Sequence, residues 1–155
     1  MPGRKLILGG IHIPFENGPL GHSDGDALAH AICDALLGAA ALGDIGRHFP
    51  DSSAEWKDAS SLDFLRHAAG LLQARDCIIV NIDSTIELEK PRLAPFVEQM
   101  RETMADALGI AVEQLSVKAK SGEGIGDIGR GEAVRAQAVV LIRCGGPVPS
   151  AGNRR

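Results

Sequence analysis

The chain has 155 residues, the length of one domain, and a domain of this size buries about 68–70% of its unfolded surface without staples. Its 16 Lys and Arg against 20 Asp and Glu leave a net charge of −4, which argues against binding driven by nucleic-acid phosphates. Hydrophobic residues at 45% and charged residues at 23% exclude a disordered chain, and one Trp, four Phe and no Tyr exclude a base-stacking platform.

In chain order, Leu6–Leu8, Gly9–Gly10 and Ile11–Ile13 read as a strand, a tight turn and a second strand, followed by a loop over Phe15–Leu20. Leu28, Ile32, Ala35, Leu36 and Ala39 keep helical spacing, so a helix is expected over Asp26–Leu42 with Gly43 as its stop. Asp44–Ser60 is polar and irregular, and Ser61–Ala74 reads as a second helix. Cys77–Leu88 is rich in β-branched residues and reads as a strand. A third helix is expected over Pro95–Leu108, ended by Gly109, then a strand over Leu115–Lys120 and a glycine loop over Gly122–Gly131. Ala133–Arg143 alternates in period 2 and favours a strand, with helix the alternative. These elements predict an α+β domain over residues 1–144, a mixed four- to five-stranded sheet with helices on one face, and a flexible Pro/Gly/Ser/Arg tail over 145–155.

The longest apolar-rich stretch, Ala27–Leu42, is interrupted by His30 and Asp34 and falls short of the ~18 residues that span a bilayer. No signal peptide is visible, and Cys33, Cys77 and Cys144 have neither metal-knuckle nor disulfide-framework spacing. Reduced, buried thiols and a cytoplasmic location are therefore expected.

Four segments carry chemistry. His22–Ser23–Asp24–Gly25–Asp26 precedes a helix on which Asp26, His30 and Asp34 form one stripe at i, i+4, i+8. That stripe also fits an ordinary surface helix, but the rest of the helix is almost wholly apolar, and a buried His or Asp needs a metal, a hydrogen bond or a partner. Lys118–Glu132 holds five glycines between 122 and 131, with Lys120, Ser121, Glu123 and Arg130. Such a loop lets backbone N–H groups approach phosphate, and a carboxylate such as Glu123 suits a hard cation; a flexible hairpin loop is the alternative. Gly124–Gly129 matches G-x-G-x-x-G, but a strand and not a helix follows, and no Walker lysine is present. Asp44–Asp51 and Glu89–Leu93 are loops rich in acceptors and charge, each weak alone.

Together and in this order, His22–Asp26 with His30, Asp34–Gly46, Phe49–Asp51, Lys57, Pro91–Leu93 and Ser121–Glu132 resemble the 2-C-methyl-D-erythritol 2,4-cyclodiphosphate synthase family, over Leu6–Arg143. The resemblance implies cyclisation of 4-diphosphocytidyl-2-C-methyl-D-erythritol 2-phosphate with release of CMP, in non-mevalonate isoprenoid synthesis. It implies a homotrimer with its sheets around the threefold axis, sites between subunits, and one zinc and one magnesium or manganese per site. By position, His30 is then a zinc ligand and Glu123 holds the magnesium or manganese, while His22 and Ser121 stabilise the transition state. Ser23 binds substrate, Asp44, Ile45 and Gly46 contact the methylerythritol part, and Phe49, Pro50, Asp51, Ser52 and Ser53 line the same pocket. Leu88, Glu89, Lys90, Pro91, Arg92, Leu93 and Ala94, with Lys120, Ser121, Gly122 and Glu123, receive the cytidine and its phosphates. Arg130 and Glu132 lie near the axis.

The sequence departs from the family in lacking its first strand with Asp-x-His, which supplies two zinc ligands. A missing N-terminal stretch is the favoured expectation, and a zinc-free, non-catalytic trimer that binds nucleotide or isoprenoid phosphates is the alternative. Lys120 stands where the family often has a hydroxyl, and Asp127 where it can have an aromatic residue.

Overall fold

The computed structural model describes residues 5–15, 25–50, 52–56 and 59–145. Strands β1 (Leu6–Leu8) and β2 (Ile11–Ile13) form an antiparallel hairpin in which Leu8 faces Ile11. Gly9 and Gly10 take φ of +60° and +76°, the left-handed pair that a two-residue hairpin turn requires. A side chain at Gly9 would also collide with Met100, whose Cβ lies 2.8 Å from the position of an added Cβ.

Helix α1 (Ala27–Ala39) buries Leu28, Ala29, Ile32, Cys33, Leu36 and Leu37 and starts at Asp26 as its N-cap. It ends three residues before the expected Leu42. Ala41 takes φ +57°, Ala41 N–H donates to Gly38 O and Leu42 N–H to Leu37 O, so a non-glycine residue closes the helix by the usual pair of C-terminal bonds. A short helix α2 (Ile45–His48) follows, capped by Asp44, and α3 (Ser61–Gln73) is capped by Ser60. The third expected helix divides into a 3₁₀ turn at Ala94–Phe96 and α4 (Val97–Leu108), stopped at Gly109 with φ +70°. The glycine loop includes the short helix α5 (Gly126–Gly129).

Strands β3 (Cys77–Glu87), β4 (Leu115–Lys120) and β5 (Arg135–Cys144) form one sheet in the order β4-β3-β5, parallel for β3–β4 and antiparallel for β3–β5. The α+β class stands, but the strands divide into sheets of two and three instead of one mixed sheet of four to five. Among the described residues the hairpin pairs only with itself. A bulge at Ile79/Asn81 shifts the β3–β5 register. The Gln114 side chain donates to Ile79 O and Val80 O there, supplying partners where the ladder is broken.

α1 packs on β3 and β5, α3 on α1, and α4 on β4. Ile79, Ile82, Ile86, Leu115 and Val117 bury their side chains beneath the helices. The opposite sheet face exposes Ile78, Val80, Val139 and Leu141, the last two by 75% and 60%. The expectation of three reduced thiols is corrected: Cys77 and Cys144 face each other across the β3–β5 register and form a disulfide, leaving Cys33 as the buried free thiol. Sequence spacing hid this pair because 67 positions separate its members. The expected tail lies outside the described residues apart from Gly145, whose N–H donates to Asp76 O. Among the described residues no helix is long and apolar enough to cross a membrane.

Candidate active site

Two loops meet at the C-terminal ends of β3 and β4. Leu88 N–H donates to Lys120 O at 2.9 Å, extending the parallel pairing by one bond beyond the strands. A cleft of about 430 Å³ opens there, lined by Leu88, Glu89, Arg92, Leu93, Ala94, Ala119, Lys120 and Ser121. Parallel strands commonly present their ligand crevice at this end. The structure thus brings together seven residues expected to contact the nucleotide and adds Ala119, which no charge or hydroxyl marked in the sequence. Lys90 and Pro91 lie in the same loop, joined by a cis peptide bond.

Beyond Ser121 the chain turns sharply. Ile125 N–H donates to Gly122 O at 2.9 Å, and the two central residues, Glu123 and Gly124, take φ of +53° and +76°. Left-handed backbone at a glutamate costs about 1–2 kcal/mol and persists only where neighbours hold it. Ser121 Oγ accepts from Glu123 N–H at 3.2 Å, and a Glu89 carboxylate oxygen accepts from Gly124 N–H at 3.1 Å. Gly129 presses so closely on the turn that an added Cβ would lie 2.2 Å from the Gly124 carbonyl carbon. The Glu123 side chain is exposed, on a second cleft of about 450 Å³ that also contains Ser121 and Gly122. Arg130 is held by Asp127 and Glu132, so its charge is compensated within the loop.

Of the other expected residues, His22, Ser23 and Asp51 fall outside the described residues. His30 is half-buried on α1, its ring 5.4 Å from that of Phe64. Asp44 caps α2 by accepting from Arg47 N–H, and Asp34 accepts from Ile45 N–H at 3.0 Å, so both carboxylates shape the Ile45–Gly46 turn. Phe49 is buried against Phe64, Trp56 and His67, while Pro50 and Ser53 are half-buried and Ser52 is exposed. None of the described ones lines the 88–94 cleft.

Asp26 belongs to the scaffold. Its carboxylate accepts from Gly9 N–H, Gly10 N–H, Ala29 N–H and Ser61 Oγ at 2.6–2.9 Å, tying the hairpin turn to the starts of α1 and α3. Burial pushes its carboxyl above the usual range, against the opposing pull of those donors. No local signal marked Ser61, which reaches Asp26 across 35 positions.

No trio of His, Cys, Asp or Glu that could hold a metal occurs among the described residues. One imidazole at His30 does not make a zinc site, which needs three protein ligands. Magnesium or manganese asks less, since one or two carboxylates together with substrate phosphates hold it, and exposed Glu123 fits that demand.

The YgbB family matches residues 1–143. The chain belongs to the YgbB family. It is 56% identical over 140 residues to the 2-C-methyl-D-erythritol 2,4-cyclodiphosphate synthase of Syntrophomonas wolfei, covering 90% of this chain and 89% of that one. The enzyme of the same name from Neisseria gonorrhoeae is 56% identical over 140 residues, covering 90% and 88%. A solved 2C-methyl-D-erythritol-2,4-cyclodiphosphate synthase in its CDP-bound form superposes with a TM-score of 0.84 at 36% identity, covering 92% of this chain and 93% of that one. The bifunctional IspDF of Campylobacter jejuni superposes at 0.86 and 36% identity, with 92% of this YgbB chain matching 38% of the longer protein.

Proposed function

We propose that this YgbB protein converts 4-diphosphocytidyl-2-C-methyl-D-erythritol 2-phosphate into 2-C-methyl-D-erythritol 2,4-cyclodiphosphate and CMP. The likeness to a CDP-bound synthase at a TM-score of 0.84, together with a basic cleft at the ends of β3 and β4, carries this proposal. An oxygen of the 2-phosphate forms a bond to the β-phosphorus. The bond from that phosphorus to the bridging oxygen breaks, and CMP leaves with that oxygen.

Orientation and charge neutralisation supply most of such a barrier reduction. Arg92 and Lys120 flank the cleft and offset the diphosphate charge. Ser121 Oγ accepts from Glu123 N–H, and its own proton would donate to a phosphate oxygen. Glu123 would hold magnesium or manganese, which when bound draws charge from the diphosphate. His22 would stabilise the same oxygens, and Ser23, Asp44–Gly46 and the 49–53 segment would receive the methylerythritol. Among the described residues no three ligating groups come together at His30 to make a zinc site.

The 44–53 segment and the 88–94 cleft would meet between subunits of a homotrimer. Support comes from the sheet face opposite the helices, where Ile78, Val80, Val139 and Leu141 are exposed. Large apolar residues clustered on one face are the mark of an interface.

Magnesium titration of CMP release tests the chemistry. Glu123→Gln should raise the magnesium concentration for half-maximal rate at least about tenfold, since it removes the anionic ligand. An unchanged requirement would take Glu123 out of the site.

A further inference from the structure

The loop that presents Glu123 is held in its left-handed turn by bonds from outside the turn, and one of them comes from the opposite wall of the nucleotide cleft. We infer that Glu89 is a positioning residue, whose carboxylate fixes the Gly122–Ile125 turn through Gly124 N–H and so holds the Glu123 carboxylate at the edge where its own cleft adjoins the nucleotide cleft. The inference rests on the metal role of Glu123 proposed above and extends it to a residue that would not itself touch the metal.

The geometry is specific. Glu89 follows the last β3–β4 backbone bond by one residue, and its side chain spans 35 positions to reach Gly124 at 3.1 Å. It is half-buried and lines the 430 Å³ cleft, whereas Glu123 lines the neighbouring one, and Ser121 belongs to both. The Glu89 bond therefore joins the two walls at their shared edge. The residue it fixes comes directly after Glu123, whose φ of +53° is unfavourable for a side chain. A turn of this kind relaxes when one of its external bonds is lost, and the carboxylate it carries swings with it. A charged acceptor on a backbone N–H is the stronger class of hydrogen bond, which makes Glu89 an effective clamp. Glutamine retains an acceptor oxygen at the same reach and alanine does not.

The test uses the full chain with two readouts. In ligand-free protein, amide exchange at Gly124 should quicken about tenfold in Glu89→Ala and stay within about threefold of the parent in Glu89→Gln, as expected for loss of the bond and for its retention in neutral form. With CDP present, the apparent Kd for Mn²⁺ should rise about tenfold in Glu89→Ala and return most of the way in Glu89→Gln. In a Glu123→Gln background, Glu89→Ala should add less than about twofold, because the two residues act as one unit. Unchanged Gly124 exchange in Glu89→Ala would overturn the clamp. Equal effects of Glu89→Ala in both backgrounds, or Glu89→Gln as weak as Glu89→Ala, would overturn it by making Glu89 a direct ligand. Mn²⁺ affinity that ignores Glu123→Gln while Gly124 exchange responds would instead sink the metal role of Glu123.

Discussion

Asp26 caps the helix that carries Cys33, and both are buried. Asp26 stays inside because Gly9, Gly10, Ala29 and Ser61 satisfy it. Asp26→Ala strands those donors in the core, and a loss of about 3 kcal/mol in urea unfolding is expected. Cys33 donates its thiol to Phe64 O at 3.6 Å, and burial, with Asp34 nearby, pushes that thiol from 9.0 up to about 12. Between those values the unfolded chain gives up the proton and the folded chain keeps it. Stability should therefore fall as pH rises from 9 toward 12, and Cys33→Ala should flatten that slope in urea midpoints measured across the range. The i, i+4, i+8 stripe on this helix was legible in the sequence. Its meaning was not, because the partners of Asp26 come from Gly9 and Ser61, and the partner of Asp34 from Ile45.

At the scale of elements, periodicity located the hairpin, three main helices and three long strands to within a few residues. Local signals suffice where a helix has a cap and an apolar face, as at Ser60 and Gly109. They fail where the decisive contact is distant. α1 stops at Ala41 and not at the glycine, and the strands divide into two sheets because pairing is decided by tertiary packing. The Cys77–Cys144 bond joins the start of β3 to the end of β5 and closes a 67-position separation. Chain-entropy estimates put such a link at about 4 kcal/mol, and native removals at about 2–5. Cys144→Ser should lower urea stability by about that amount while helix content by circular dichroism persists. Alkylation of the native chain should label no thiol, and mild reduction should make Cys77 and Cys144 available while Cys33 stays protected.

For the whole molecule, helices cover one side of the β4-β3-β5 sheet and leave the other to Ile78, Val80, Val139 and Leu141. Val139→Glu with Leu141→Glu places charge on that face, and the outcome expected from the proposed homotrimer is a shift to monomer in light scattering with loss of CMP release. A trimer that survives both changes would move the interface elsewhere. Seven of the residues expected to contact the nucleotide gather in one cleft because they lie at two adjacent strand ends. The Asp44–Ser53 segment was expected only as a motif, and none of its described residues lines that cleft. The measurement closest to the central claim is phosphorus NMR of the cytidyl diphosphate substrate incubated with the protein, zinc and magnesium. CMP and a cyclic diphosphate appearing in equal amounts is the result expected. Nucleotide that binds but is never converted to CMP would contradict the proposed function and leave a binding-only member of the family.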